Sequence, residues 1–425
     1  MTPDTSIYLH IPFCAHRCAY CDFNTYAGQE DSIPAYVDAL IREIEFVGRQ
    51  SSDSPAFNVP TVFFGGGTPS LLSAPQLAAI MDALCSTFVF SPSIEATIEA
   101  NPGTTSPEFL HQIRDAGINR LSFGVQSTNP DELRTLERIH DFFDVINSVK
   151  WARQAGFDSL NLDLIYSLPE QTLASWQTTL KRIVDLHPEH ISAYALTLEH
   201  GTPFGRWSAK GMLPLPDPDL AADMYEFTAE FLAANGYVHY EISNWARNIK
   251  SRKLEINSSD LLPSSLDLHP TFACRHNLQY WHNLPYLGLG AGAHGYANGI
   301  RYSNILRIKS YIDRLKTNDR QQKAGFPLTP STVNHNRLSK REEMQETMLT
   351  GLRLIHEGVP DAAFRQRFGV GIVDAFPAEV SDLLDLGLLE WVQIKTSETG
   401  IASDVLRLTP RARLVSNQVF VRFVD

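Results

Sequence analysis

Short apolar runs alternate with stretches of helical periodicity through the first half of the chain. Runs of strand character fall at Ser6–Ile11, Thr61–Phe64, Ala96–Glu99, Arg120–Val125, Ser159–Ile165 and Ile191–Leu196. Between them lie segments with apolar residues three and four apart: Pro34–Val47, Ala74–Thr87, Pro107–Ala116, Phe142–Ala155 and Leu173–Leu186. Ser106-Pro107-Glu108 and Asp144 read as helix start signals, and Gly117 and Gly156 stand where helices should stop. The strands are apolar on both faces, as in Leu160-Asn161-Leu162-Asp163-Leu164-Ile165, which is the mark of parallel strands covered by helices on each side. Six such units predict an α/β fold, a partial (β/α)6 barrel related to the eight-fold design. A doubly wound open sheet has the same pattern.

After Trp245 the pattern changes. Asn248–Pro270 has no period and reads as a surface loop, and an aromatic, glycine-rich segment follows from His276 to Tyr302. Met344, Met348, Leu352 and Ile355 make one helical stripe. Asp361–Phe368 and Ala378–Asp385 predict two further helices, Glu390–Ile394 and Val405–Leu408 two short strands, and Arg411–Val415 the start of a last helix. Helices followed by a hairpin suggest a small winged-helix-like domain, read here as a lid or docking module. The expected division is a core over 1–246, a loop insertion and aromatic segment over 247–335, and a C-terminal domain over 336–425.

Composition narrows the partners. The chain has 425 residues, 36 Lys+Arg against 48 Asp+Glu, a formal charge of −12, and 43% apolar residues. That is enough apolar surface for two or three domains of roughly 150 residues. The acidic balance argues against a nucleic-acid binder, which needs cations for phosphates. The longest uncharged runs, Thr61–Met81 and Asn277–Ile300, are broken by Gly, Pro, Asn and Ser, so no membrane span is expected. The first residues carry no export signal. Three of five cysteines fall within eight residues, which is no disulfide framework and suits a reducing, cytoplasmic setting.

Those cysteines carry the strongest signal. Cys14-x3-Cys18-x2-Cys21 follows the first strand, and three thiolates in one short loop can converge on an iron–sulfur cube, leaving one iron open as a Lewis-acid position. A zinc site completed by His10 or His16 is the competing reading. Gly65-Gly66-Gly67-Thr68-Pro69 follows the second strand. Alone, it is also what a plain tight turn contains; after a cluster motif, a ligand-holding turn is the better reading. Glu99, Gln126 and Asp163 are polar residues near the C-terminal ends of apolar strands, where barrel sites assemble. Cys85, on an apolar helix, is expected in the core.

The cysteine spacing, with Tyr20 before the last thiol, resembles the radical S-adenosylmethionine (SAM) superfamily. The resemblance implies a 4Fe–4S cluster on Cys14, Cys18 and Cys21, with SAM chelating the open iron. It implies that Gly66, Gly67 and Thr68 lie against the SAM amino group. Glu99, Gln126, Arg138 and Asp163 would bind its ribose, carboxylate or adenosyl part, and Tyr8 and the backbone near Tyr20 and Ala195 would complete the pocket. Within the superfamily, Tyr8-Leu9-His10-Ile11-Pro12-Phe13-Cys14 and Asp163-Leu164-Ile165-Tyr166 resemble the oxygen-independent coproporphyrinogen III dehydrogenases and the HemW-type haem chaperones. Phe23 stands where the dehydrogenases carry a further cysteine, the first cysteine is already residue 14, and His276-Asn277-Leu278-Gln279-Tyr280-Trp281 is similar to the chaperones' His-Asn-x-x-Tyr-Trp element. An imidazole can ligate haem iron, and Tyr280 and Trp281 offer flat faces to a porphyrin. His276 is therefore the expected haem ligand, with His282 and His294 as spare candidates.

The resemblance thus implies a haem chaperone that binds a 4Fe–4S cluster, SAM and haem and passes haem to an acceptor protein, which is open to being membrane-associated. It leaves open SAM cleavage and a homodimer, and expects no coproporphyrinogen dehydrogenase activity. The alternative is that dehydrogenase reaction, radical oxidative decarboxylation of propionates to protoporphyrinogen IX, for whose carboxylates Arg17 and Arg301 are the available cations. Two departures from the family pattern stand out: Ser167 replaces a glycine common after Asp-Leu-Ile-Tyr, and Asn248–Pro270 is a longer connection than usual.

Overall fold

The computed structural model describes residues 4–51, 58–248, 269–316, 325–395 and 402–424. Two compact units result, Met1–Met224 with Leu284–Arg337, and Tyr225–Asn283 with Leu338–Asp425. This division differs from the three-part reading. Residues 225–246 and the His276 segment belong with the C-terminal part, while 284–337 belong with the barrel strands. Most of the expected Asn248–Pro270 loop lies outside the described residues.

In the first unit, six strands pair in chain order, all parallel: β1 (Ser6–Ile11), β2 (Asn58–Gly66), β3 (Val89–Ala100), β4 (Arg120–Gln126), β5 (Ser159–Tyr166) and β6 (His190–Ala195). Helices Ile33–Ser51, Ala74–Thr87, Pro107–Asp115, Phe142–Gln154 and Leu173–Val184 form the crossovers. Side chains start them as the sequence requires. Ser106 Oγ accepts from the Phe109 N–H, and Asp141 and Asp144 cap each other reciprocally, so Asp141, three residues before the expected start signal, is the true N-cap. Gly117 and Gly156 end their helices at φ +98° and +84°, in the left-handed region. Leu160, Leu162 and Leu164 point to one side of β5 and are fully buried; Asn161 is buried on the other.

The sheet goes further than six units. Tyr286–Leu289 pairs parallel to β1 on its free side, and His294–Ala297, Ile300–Asn304 and Thr332–Arg337 continue outward antiparallel. The glycine-rich segment after Trp281 is therefore sheet rather than insertion. Glu43 anchors it from within, accepting from Gly290 N–H, Tyr311 O–H, Asn304 Nδ2 and Thr329 O–H at 2.7–3.1 Å.

The second unit holds helices Lys340–Gly351, Asp361–Phe368 and Pro377–Asp385 followed by the antiparallel pair Leu389–Lys395 and Ala402–Leu408, with Val359–Pro360 as a third strand. This is the helices-then-hairpin arrangement that the periodicity predicts. Its core gathers Met344, Met348, Leu352, Phe364, Phe368, Phe376 and Phe420. Among the described residues no helix is long and apolar enough to cross a membrane.

Candidate functional site

The loop after β1 and the C-terminal ends of β2 to β6 surround one cavity of about 460 Å³. Cys14, Cys18 and Cys21 line it, as do Tyr20, Gly66, Gly67, Thr68, Glu99, Gln126, Arg138, Asp163 and Ala195. Residues spread over 180 positions meet here because every parallel strand delivers its C-terminal end to the same rim. Tyr8 is the one expected residue that does not line the cavity. It lies on β1, donates its O–H to His10 Nδ1 at 3.0 Å and stacks on Phe63. His10 gives its other nitrogen to the Asn24 carbonyl at 3.0 Å. Both nitrogens are engaged, so His10 does not serve as a fourth ligand to a metal, and His16 pairs with Glu137 at 3.3 Å.

All three cysteines are free thiols. Burial pushes the Cys14 and Cys21 thiols up, and each feels Cys18 as a further like charge. Among the described residues, the only trio of His, Cys, Asp or Glu donor atoms gathered within 4.8 Å lies elsewhere, so these sulfurs stand wider apart than one small ion's coordination sphere allows. The set fits a polynuclear cluster better than a single zinc. Thr68 donates to Cys14 Sγ at 3.6 Å, and Arg138 to Cys18 Sγ at 3.6 Å. Below the loop, Ala19, Leu136, Ile165, Leu168, Leu196 and Phe204 form an apolar floor, and the Phe204 N–H holds the Ala19 carbonyl at 3.1 Å.

The glycine turn is needed for close approach. Gly66 has φ +107°, and a Cβ there would lie 2.5 Å from the His10 ring; one on Gly67 would meet the Phe13 and Ile11 carbonyls at 2.6 and 2.7 Å. Its amides are already engaged: Gly67 N–H donates to Ile11 O, Thr68 N–H to Phe13 O and Gly66 N–H to Glu99 Oε2, at 2.7–3.1 Å. With its donors consumed, the turn suits a ligand that itself donates.

Glu99 is half-buried in the cavity wall. Burial first, and the Asp163 carboxylate second, push its carboxyl up to about 8. Asp163 accepts from Ser122 Oγ and Asn161 Nδ2, each at 2.7 Å. A register shift in β4 at Gly124/Gln126 puts Gln126 at φ +69° and aims it into the cavity. Arg138 donates Nη2 to Asn101 Oδ1 and to the Gly124 carbonyl, both at 2.5 Å, while its buried Nε has no partner. A cation that lines the cavity and is fixed this way fits an anionic group there. Asn101, which sequence reasoning left without a role, ties Arg138 to Thr68 through its Nδ2 at 3.0 Å; the Asn-Pro step ending β3 was the available signal.

Two family models match, the Radical SAM superfamily over residues 8–183 and the HemN C-terminal domain over 338–392. A relative described as heme chaperone HemW, from Bacillus subtilis (strain 168), is 36% identical over 423 residues and covers 99% of each chain. The chain belongs to the HemW family of radical SAM proteins. A second relative of the same description, from Escherichia coli (strain K12), is 36% identical over 69% of this chain and 70% of its own. The solved coproporphyrinogen III oxidase (HemN) from Escherichia coli superposes with a TM-score of 0.76 at 24% identity, covering 99% of this chain and 90% of that one, a likeness of fold. The partial (β/α)6 barrel is therefore a radical SAM barrel, and membership of that superfamily implies a 4Fe–4S cluster and SAM.

The His276-Asn277-Leu278-Gln279-Tyr280-Trp281 element lies in helix Arg275–Trp281 of the second unit. His276 is 1% exposed, and its Nε2 lies 2.8 Å from the Tyr280 hydroxyl. Arg353 lies over the Trp281 ring at 4.4 Å. Cys274 is buried just before the helix, whereas Cys85 is exposed and is no core residue, because the apolar stripe of its helix runs through Leu77, Ile80 and Leu84. Arg17 lines the cluster cavity and Arg301 does not; Arg301 sits over the Tyr296 ring in a groove with His294. The two cations considered for propionate binding are thus not brought together. Ser167 has φ +59°, the backbone reason for the glycine it replaces.

Proposed function

We propose that this protein is a haem chaperone that holds a 4Fe–4S cluster on Cys14, Cys18 and Cys21, binds SAM beside it, and loads haem on the helix Arg275–Trp281 for transfer to an acceptor haem protein in a reducing, cytoplasmic setting. The observation that carries the reading is the meeting of three free thiols, the glycine turn and the Glu99, Gln126, Arg138 and Asp163 side chains on one cavity, in a chain whose relatives are described as haem chaperones. A reduced cluster with SAM supplies reductive cleavage of a sulfonium when both are bound. The chain's own residues do the positioning. Arg138, fixed by Asn101 and Gly124, would set its positive charge against the SAM carboxylate, and Glu99 and the glycine turn would meet the amino group.

Haem ligation through His276 Nε2 requires that nitrogen to leave the Tyr280 hydroxyl. Tyr280 thus competes with the iron for the imidazole, and Trp281 supplies an apolar face. Haem titration of wild type, His276→Ala and Tyr280→Phe tests this. Loss of stoichiometric binding in His276→Ala and tighter binding in Tyr280→Phe are expected; unchanged affinity in His276→Ala refutes the ligand assignment. Anaerobic incubation with coproporphyrinogen III, SAM and reductant should give no protoporphyrinogen. Phe23, 65% exposed on the cavity wall, offers no thiol there.

A further inference from the structure

A second cluster of ligand atoms lies wholly in the second unit, apart from the cysteine cavity. His269 Nε2 is 2.6 Å and His282 Nε2 is 3.0 Å from one oxygen of Glu357, Oε2, and the three ligand atoms lie within 4.8 Å of one another. The side chains are 21%, 32% and 15% exposed, shielded but open to an ion from solvent. Three separate chain segments deliver them. Just past His269, the Ala273 N–H bonds Pro270 O and the Phe272 N–H bonds Arg247 O. His282 caps the C-terminus of helix Arg275–Trp281, with its N–H on Leu278 O. Glu357 precedes Gly358, whose φ of +55° and a would-be Cβ 2.3 Å from Leu406 O demand glycine, so the turn holding the carboxylate is set.

From this convergence we infer that His269, His282 and Glu357 form a site for a divalent transition-metal ion, Zn2+ foremost. Two imidazole nitrogens and one carboxylate are a donor set that zinc takes with a fourth position left for water or substrate, at about 2.0–2.2 Å from each atom. Tetrahedral zinc needs ligand atoms about 3.3 Å apart, so the observed 2.6 and 3.0 Å require the carboxylate to withdraw by less than ~1 Å. The ion replaces the two N–H donations with two lone-pair bonds; a neutral imidazole then carries its proton on Nδ1 instead of Nε2, and only a charged imidazolium releases one to solvent. It also stands at the carbonyl end of the helix bearing His276 and Tyr280, where positive charge is favoured. There it ties that helix to Glu357 and to the segment before it. The site does not depend on haem binding at His276.

The test separates this site from the thiols and from His276. Full-length protein, loaded with its cluster, is titrated anaerobically with Zn2+ and in parallel with Co2+, whose visible d–d bands report coordination. A variant with Cys14, Cys18 and Cys21 all changed to Ala, and His276→Ala, are titrated in the same way. One ion per chain is expected in all of these, with tetrahedral Co2+ bands. Affinity should fall at least tenfold, and the bands vanish, in the near-isosteric Glu357→Gln and in His282→Gln. Zn2+ should raise the thermal midpoint of wild type and not that of Glu357→Gln, with circular dichroism confirming that the variant is folded. Absence of binding in the Cys-free variant, or binding unchanged by Glu357→Gln, overturns the inference. A Glu357→Gln variant that is less stable in metal-free buffer, beside a wild type that binds no ion, shows a hydrogen-bonded His–Glu–His tie and overturns it too.

Discussion

Replacing Glu99 with Gln should make the cluster-free protein more stable, and by an amount that grows with pH. The carboxyl is buried beside Asp163 and is pushed from the ordinary 4.5 up to about 8. In the unfolded chain it titrates near 4.5. The folded protein therefore keeps a proton that the unfolded chain releases between about pH 4.5 and 8, and stability must fall as pH rises across that window. At ~1.4 kcal/mol for each pH unit, the span from 4.5 to about 8 is worth about 5 kcal/mol, and water entering the cavity screens part of it, leaving about 2–5 kcal/mol. Gln cannot ionise but still offers an oxygen to the Gly66 N–H. Urea unfolding of wild type and Glu99→Gln at pH 5, 6, 7 and 8, followed by tryptophan fluorescence, measures the difference. The two proteins should be nearly equal at pH 5, with the variant ahead by several kcal/mol at pH 8. A constant difference across the range, or a variant weaker at pH 8, refutes the argument. The same substitution should weaken SAM binding at least tenfold in equilibrium dialysis of the reconstituted protein, because a cationic amino group prefers the ionised carboxylate. Opposite signs for stability and binding at one residue mark a group kept for its ligand rather than for the fold.

Other outcomes follow from the same geometry. Ser167→Gly relieves a left-handed backbone and should stabilise by up to about 1 kcal/mol, read as a higher urea midpoint; a lower midpoint would show that the serine side chain is needed. Gly67→Ala forces a Cβ to 2.6 Å from the Phe13 carbonyl, with no flexible side chain to yield, and should cost about 2–4 kcal/mol and most cluster retention after reconstitution, measured by iron content; full retention contradicts the close approach. Arg138→Met removes the cation that holds Asn101 and Gly124, so SAM affinity should drop at least tenfold in dialysis while the iron content stays near wild type, since Cys18 keeps its own sulfur; unchanged affinity dismisses the role for the Arg138 charge.

What could be read from the sequence was whatever one element decides alone. A strand buried on both faces announces itself by an unbroken apolar run, so β1 and β4 to β6 were legible to within about a residue or two, and helix ends were legible wherever a glycine or a capping side chain sits at the boundary. The cluster motif was legible because three ligands share one short loop. Pairing across long separations was not. Tyr286–Leu289 is a four-residue strand of ordinary composition, and its place beside β1 depends on a buried Glu43 more than 240 positions away, which no local period encodes. The same limit explains Tyr8. Its position just before the cysteine loop suggested the cavity, but alternation along β1 decides which way a side chain points, and Tyr8 shares a face with His10, to which its hydroxyl bonds. The His276 element shows the limit most sharply, because its letters announce a ligand while the structure gives its nitrogen to Tyr280, four residues on along the same helix face. A motif specifies which atoms are within reach of one another; which of them is free to bind is settled by the partners that folding supplies.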